Sequence, residues 1–306
     1  INRIAAVYLS LVSGEKAECE ILPSYRTHVE EEIKYRSSKA FMRDVSYWRD
    51  TLKDMPQCVS IKECRTNELS PVGHRKTYQF TEIMNHEFMN YCTKHRIAPM
   101  LVLYMAVGIF LERTQDIKKF CMGTPVHNRS NITARNTTGM FVSTLPFLSE
   151  LNEKMTFSEY TQYLADEWME LLRHQRLSFN DIVDVCRQEN QDVDRLYNMV
   201  INFHSSRAYQ SGDTLVTFSG QWHYSGYQAE HLCIHLNNIV DKKRFSVSYD
   251  FLTQLFSENE IDNIHHYLMS ILMQVLIHPD KPICELMFLS EEEKEKVLFS
   301  FNDTEK

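Results

Sequence analysis

The sequence predicts an α/β fold built as a layered sandwich. Amphipathic helical segments alternate with short runs of β-branched and aromatic residues along the chain, and no segment repeats. At 306 residues, with 43% hydrophobic and 11% aromatic residues, the chain is long enough to bury a substantial core as one large domain or two lobes. Its 8 glycines and 8 prolines are too few for a collagen-like or Gly/Pro-rich disordered chain.

The first 55 residues predict helices. Residues 1–12 place apolar side chains at helical spacing, and Ser13-Gly14 ends that helix. A loop at 19–23 precedes a charged helical segment that runs through 30–32 to about residue 52. No capping residue, initiator methionine or signal peptide precedes Ile1, so we expect the sequence to begin inside a longer protein.

The remaining elements follow from periodicity and turn signals. Strands are expected at 76–80, 120–126, 140–148, 197–203, 215–222, 232–236 and 245–249, and helices at 82–95, 99–113, 157–174 and 258–277. The helix that starts at Pro99 is apolar on nearly every side, which predicts that it is buried between layers. A polar loop is expected at 127–138, and the acidic, lysine-rich run at 290–306 resembles a linker.

Charge and cysteine spacing exclude several classes of protein. The formal net charge of −8 gives no global basic face for nucleic acid. The longest apolar run, 100–111, is too short for a bilayer core of about 30 Å. Eight scattered cysteines without a CxxC pair predict reduced thiols and a cytoplasmic protein. Asn-x-Ser/Thr triplets begin at 128, 131, 136 and 302, but they matter only in a secreted protein.

Seven stretches of sequence carry a family resemblance in the right order. SYRTHV at 24–29 is similar to YxDYAxW, and Tyr47-Trp48 with Leu52 to YWxxxL. GTPVHNR at 123–129 is similar to GTPVxxR, and GMFVSTLP at 139–146 to GxFVNTLPL. His174-Gln175 before Ser178-Phe179 is similar to HQxYPFE, FSVSYD at 245–250 to a late strand, and 289–293 with 301–304 to a junction before an adenylation domain. The chain therefore resembles, over essentially its whole length, the condensation domains of nonribosomal peptide synthetases.

The resemblance implies a chloramphenicol acetyltransferase-like fold of two-layer sandwich lobes. Residues 1–55 would end the first lobe and form the inter-lobe helix, 56–280 would form a complete second lobe, and 281–306 would lead toward an adenylation domain. The implied reaction joins a donor acyl or peptidyl thioester to the amine of an acceptor aminoacyl thioester. Both substrates would be carried on phosphopantetheine arms of upstream and downstream peptidyl carrier proteins.

The sequence departs from the family at the catalytic motif. No HHxxxDG is present, and His265-His266 lacks the following Asp-Gly and lies on a helix face. Ser143 replaces the usual Asn, and 193–198 follows the family's RNPLFD only loosely. We therefore assign no catalytic residue and expect these 306 residues alone to be inactive.

The resemblance also implies candidate site residues. One strand would line the substrate tunnel, and its candidate residues are Gly139, Phe141, Val142, Ser143 and Thr144. Gly139 would leave room for backbone or substrate to approach, and Ser143 would donate a hydrogen bond, whereas core packing is sufficient to explain Phe141 and Val142.

Other polar residues have two interpretations each. Arg129 would form a structural ion pair with the aspartate of the absent motif, or is a solvated loop arginine. His174 and Gln175 would contact substrate, or His174 favours a helix C-terminus. The remaining histidines on predicted strands or loops show no partner pattern and are interpreted as core or surface residues: His127, His204, His223, His231 and His235.

Neither a phosphate loop, a dinucleotide glycine pattern nor metal-ligand spacing occurs in the sequence. We therefore expect no directly bound cofactor, no metal, no nucleic acid and no membrane. Two alternatives stay open: a non-catalytic fragment that docks carrier proteins, and an ester-forming acyltransferase of the same fold. The two acyltransferases would be separated by their products, an amide or an ester.

Overall fold

A computed structural model gives the fold of residues 2–16, 21–56, 58–62, 64, 68–189, 195–206, 222–239 and 244–287. Six strands form one mixed sheet in the order β1-β6-β5-β4-β2-β3. The strands are β1 (Gly73–Gln79), β2 (Lys119–Val126), β3 (Ser143–Glu150), β4 (Met199–Ser206), β5 (Leu232–Ile239) and β6 (Arg244–Leu252). Strand β4 is parallel to β2 and to β5, and the other neighbours are antiparallel.

The described part of the chain contains nine α-helices. They are α1 (Asn2–Val12), α2 (Tyr25–Arg36), α3 (Lys39–Leu52), α4 (Glu82–His95), α5 (Pro99–Gln115), α6 (Ile132–Asn136), α7 (Phe157–Arg173), α8 (Phe179–Glu189) and α9 (Glu258–Ile277). The α/β class predicted from the sequence is confirmed.

Helix α5 lies at the centre of the core. Every residue from Met100 to Glu112 is buried, as its all-round apolar sequence predicts. It packs against α7, α9 and the strands β4 and β5. Tyr104 donates its hydroxyl hydrogen to the Phe147 carbonyl at 2.5 Å, so the buried phenol is satisfied.

The charged segment predicted as a single helix is two helices. Ser38 caps α3 by accepting a hydrogen bond from the amide of Phe41, and its extended backbone ends α2 at Arg36. Serine is a strong N-cap because its hydroxyl replaces a missing backbone acceptor. Trp48 and Leu52 of α3 are fully buried in the same core as the sheet.

Two further differences lie near the predicted site. The strand expected at 140–148 begins only at Ser143, where pairing with Val126 of β2 starts. The predicted polar loop contains the short helix α6, capped by Asn131, whose side chain accepts from the Ala134 amide at 2.7 Å.

Helix α8 was not predicted, and two expected elements lie outside the described residues. These are most of the strand at 215–222 and the linker at 290–306. The division at 55/56 and 280/281 stays a prediction. Within the described ranges no single helix is both long and apolar enough to cross a membrane; α4 and α5 reach that length only as a pair bent by 111°.

Candidate functional site

The 139–144 segment leads into β3 and is held by a ring from α2. A Cβ added to Gly139 would lie 2.2 Å from Cδ2 of Tyr25, so the glycine is required by this close approach. The Tyr25 hydroxyl donates to the Met140 carbonyl at 2.7 Å. The space that Gly139 leaves is therefore filled by Tyr25, a residue that sequence reasoning did not assign to the site.

Arg129 organises the loop in front of this segment. Its guanidinium donates to the carbonyls of Ala134, Thr137 (2.7 Å) and Gly139 (3.0 Å). It also lies over the ring of Phe141 at 4.0 Å, a favourable cation–π contact. An arginine carries five N–H donors, so three bonds leave capacity for a further acceptor. The ion pair with the family's aspartate stays a prediction, because that motif is not in this sequence.

The 139–144 segment divides into buried and exposed side chains. Phe141 is buried beneath Arg129 and contacts the His28 ring at 4.3 Å. Val142 is 51% exposed, so core packing does not explain it. The Ser143 hydroxyl makes no hydrogen bond with any described residue, whereas the Thr144 carbonyl accepts from the Tyr197 hydroxyl at 3.4 Å. An exposed apolar side chain and a hydroxyl without a hydrogen-bond partner among the described residues are thus adjacent in sequence.

His174 lies elsewhere, at the junction of α7 and α3. It is 7% exposed, its Nδ1 lies 2.8 Å from Asp44 and its Nε2 lies 3.3 Å from Glu170. Its ring stacks on Tyr47 at 4.1 Å and 11°. Both ring nitrogens therefore have partners within the fold, and this arrangement supports the structural interpretation of His174.

Gln175 borders a cavity of about 240 Å³ between α2, α3, the end of α7 and the loop after β2. Its amide donates to the Leu172 carbonyl at 2.8 Å. The charged lining residues carry both signs: Glu31, Glu32, Arg43, Asp44, Arg173 and Arg176. His28 and Asn128 also line it, so the cavity adjoins the loop that Arg129 holds.

Only some of the family-like segments contact one another in the fold. The stretches at 24–29, 123–129 and 139–146 meet through Tyr25, His28, Arg129 and Phe141. His265 lies apart on α9, where it stacks on Tyr78 at 3.9 Å. In the described residues, no group of three or more His, Cys, Asp or Glu side chains is placed to hold a metal ion.

The family model described as Condensation domain matches residues 1–298. The chain belongs to the condensation-domain family. The resemblance found in the sequence is confirmed.

Similar proteins agree with this family. Surfactin synthase subunit 1 of Bacillus subtilis (strain 168) is 27% identical over 97% of this chain and 8% of its own length. The dimodular nonribosomal peptide synthase of the same organism is 22% identical over 100% of this chain and 13% of its own length. The chain thus spans a small part of each of these relatives.

Solved condensation domains share the fold. The first condensation domain of the CDA synthetase superposes with a TM-score of 0.80 at 18% identity, covering 94% of this chain and 63% of that one. A four-domain nonribosomal peptide synthetase bound to AMP and glycine gives a TM-score of 0.76 at 18% identity, over 95% of this chain and 24% of that one. The predicted chloramphenicol acetyltransferase-like fold class is therefore confirmed.

Proposed function

We propose that this condensation-domain chain takes part in peptide-bond formation during nonribosomal peptide synthesis. A donor acyl or peptidyl thioester is transferred to the amine of an acceptor aminoacyl thioester, and phosphopantetheine arms of carrier proteins deliver both. The family match over residues 1–298 supports this activity, as do relatives named as peptide synthetases.

The observation that carries the proposal is the 139–144 segment itself. Arg129 and Tyr25 hold its backbone through the carbonyls of Gly139 and Met140, Val142 is 51% exposed, and the Ser143 hydroxyl has no hydrogen-bond partner among the described residues. In thioester aminolysis the amine nitrogen bonds the carbonyl carbon, the C–S bond breaks, and the thiol leaves with a proton. The reaction needs a fixed acyl group, proton removal and a donor for the transient oxyanion.

The residues of this chain supply the first and third requirements. Val142 offers an apolar wall for the acyl group, and Ser143 offers an O–H donor. The histidine that the family uses for positioning or proton transfer belongs to the HHxxxDG motif, which this sequence does not contain. The two carrier proteins and an adjacent adenylation domain are the proposed partners, with residues 281–306 leading toward the latter.

The test is product analysis with the full-length protein and loaded donor and acceptor carriers. We expect an amide product, and Ser143→Ala lowers the rate by about 10- to 100-fold if its hydroxyl serves the oxyanion, somewhat below the 10²–10³-fold effect of a dedicated oxyanion donor. Ser46→Ala, on an exposed position of α3, is the matched control and keeps the rate. An ester product with a hydroxyl acceptor, or carrier binding without any product, would overturn the proposal.

A further inference from the structure

A second cluster of polar side chains lies on the sheet away from the core. In β5, Leu232, Ile234 and Leu236 are fully buried in the core. Successive strand residues point to opposite faces, so His235 and its alternate neighbours lie on the other face. The side chains that share this face across four strands are Arg75, Asn202, His204, His235, Asn237, Ser248 and Asp250.

The cluster is anchored by a buried ion pair. Arg75 and Asp250 are directly opposite each other on β1 and β6, and the guanidinium donates to both carboxylate oxygens at 2.5 and 2.6 Å. Asp250 is 5% exposed. Nε2 of His235 lies 3.0 Å from Oδ2 of Asp250. Because a carboxylate only accepts, Nε2 of His235 carries a hydrogen and donates it to Asp250.

Asn202 connects this anchor to His204. Its amide nitrogen lies 3.5 Å from Nδ1 of His235 and 2.9 Å from Nε2 of His204. The amide nitrogen carries only hydrogens, so it donates to the lone pair on Nε2 of His204, which also lies 3.3 Å from Nδ1 of His235. His204 is thereby left with its own proton on Nδ1, and that N–H has no hydrogen-bond partner among the described residues.

His204 is held neutral as well as oriented. Burial, followed by the nearby charges of His235 and Arg75, lowers the pKa of His204 to about 4. A neutral imidazole N–H is a hydrogen-bond donor that carries no net charge, which suits an uncharged acceptor such as a carbonyl oxygen.

The surroundings of His204 indicate what kind of ligand fits. The ring of Trp222 lies 4.0 Å from the imidazole, and Trp222 is 59% exposed. Since β4 runs parallel to β2, their carboxyl ends meet at one edge of the sheet. His204 is near the end of β4, and β2 leads directly to Arg129. His204 and Trp222 therefore lie at the edge of the sheet where the 139–144 segment leads into β3.

We infer that His204 and Trp222 form a second substrate subsite, in which the imidazole donates its Nδ1–H to the carbonyl oxygen of an arm-linked acyl group and the indole covers the adjoining chain. Asn202, His235 and Asp250 are positioning residues of this subsite. The inference rests on the proposed function, because it takes the ligand to be a carrier-bound acyl substrate.

Two unreactive pantetheine probes isolate the proposed hydrogen bond. The first is an acyl-amino-pantetheine, in which nitrogen replaces the thioester sulphur and the acyl carbonyl remains. The second is an alkyl thioether of pantetheine, which keeps the amides of the arm but lacks the acyl carbonyl. Dissociation constants are measured by calorimetry with the full-length protein.

His204→Phe keeps a ring beside Trp222 and removes the donor. We expect it to weaken the acyl-amino probe about 3- to 10-fold, the effect of one hydrogen bond, and to leave the thioether probe unchanged. His204→Gln restores an N–H donor and recovers binding. His223→Phe, the same replacement at an exposed histidine, is the matched control and stays within about twofold of the parent, as expected of a surface substitution.

The inference is overturned if His204→Phe weakens the binding of both probes or of neither. Should that variant fail to fold, Trp222→Ala serves instead, and it must weaken both probes because the indole contacts the shared chain. If the variants bind both probes as the parent does and carrier-bound substrates still give an amide, the subsite is refuted and the proposed function stands. Probe-selective weakening together with an ester product keeps the subsite and removes the proposed function.

Discussion

The contact between Tyr25 and Gly139 gives a quantitative prediction. In Gly139→Ala the new Cβ would lie 2.2 Å from Cδ2 and 2.4 Å from Cε2 of the Tyr25 ring. Carbon atoms pack at about 3.5–4.0 Å, so the ring must move by more than about 1 Å. That movement also breaks the hydrogen bond from Tyr25 to the Met140 carbonyl. We expect the free energy of unfolding to fall by about 2–4 kcal/mol, from overpacking and one lost hydrogen bond.

Backbone conformation must be separated from the clash. Gly139 has φ of +158°, and Gly226 has φ of +85° with no atom within 4 Å of an added Cβ. Gly226→Ala therefore measures conformational strain alone, about 1–2 kcal/mol. Both variants are compared by urea unfolding.

A double-mutant cycle completes the experiment. In a Tyr25→Ala background the clash is absent, so Gly139→Ala costs only its backbone strain. The coupling energy between the two substitutions is then about 2–4 kcal/mol, the clash and the hydrogen bond that the Tyr25→Ala background no longer contains. Additive effects, with coupling below about 0.5 kcal/mol, would show that the ring does not fill the space beside the glycine.

Three further predictions concern titratable residues. Asp44→Ala removes a buried carboxylate and lowers the free energy of unfolding by about 3–5 kcal/mol. The control, Asp50→Ala at an exposed position, lowers it by less than about 0.5 kcal/mol. Equal decreases in the two variants, measured by urea unfolding, would contradict this. Burial would raise the pKa of Asp250, but the hydrogen bonds that Arg75 and His235 donate to its carboxylate lower this pKa below the ordinary value. Its stabilisation is therefore complete above about pH 4 and is lost below, so the deficit of Asp250→Asn shrinks in acid; a constant deficit would contradict this. Burial, with a neighbouring histidine, lowers the pKa of His265 to about 4. The unfolded state binds this proton first, so stability falls from about pH 6.5 toward 4, and His265→Gln flattens that fall; an unchanged slope would count against it.

Local signals explain which elements were predicted correctly. The helices α4, α7 and α9 have periodic apolar faces, α5 is apolar on nearly every side, and Pro99 marks a start that the structure confirms. The break between α2 and α3 depends on a single cap at Ser38 within a charged stretch, where periodicity is weak. Helix α8 also had a signal: the Ser178 hydroxyl accepts from the Asp181 amide at 3.2 Å, the spacing of an N-cap.

Contacts across long stretches of sequence explain what was missed at the sites. Tyr25 and Met140 are 115 residues apart, and their hydrogen bond leaves no local pattern. The histidines of β4 and β5 showed no partner pattern because their pairing depends on the parallel register that places Asn202 beside His235.

The enclosure of α5 has a consequence for how the molecule opens. A helix buried from Met100 to Glu112 has no solvent-facing side on which it could remain stable once the layers around it separate. Its amide hydrogens exchange with solvent only when the whole core opens, so their exchange reports the global unfolding free energy. Frayed ends of surface helices such as α1 exchange through local opening long before that. The amide hydrogens of peripheral segments would thus exchange first, and those of α5 would exchange last.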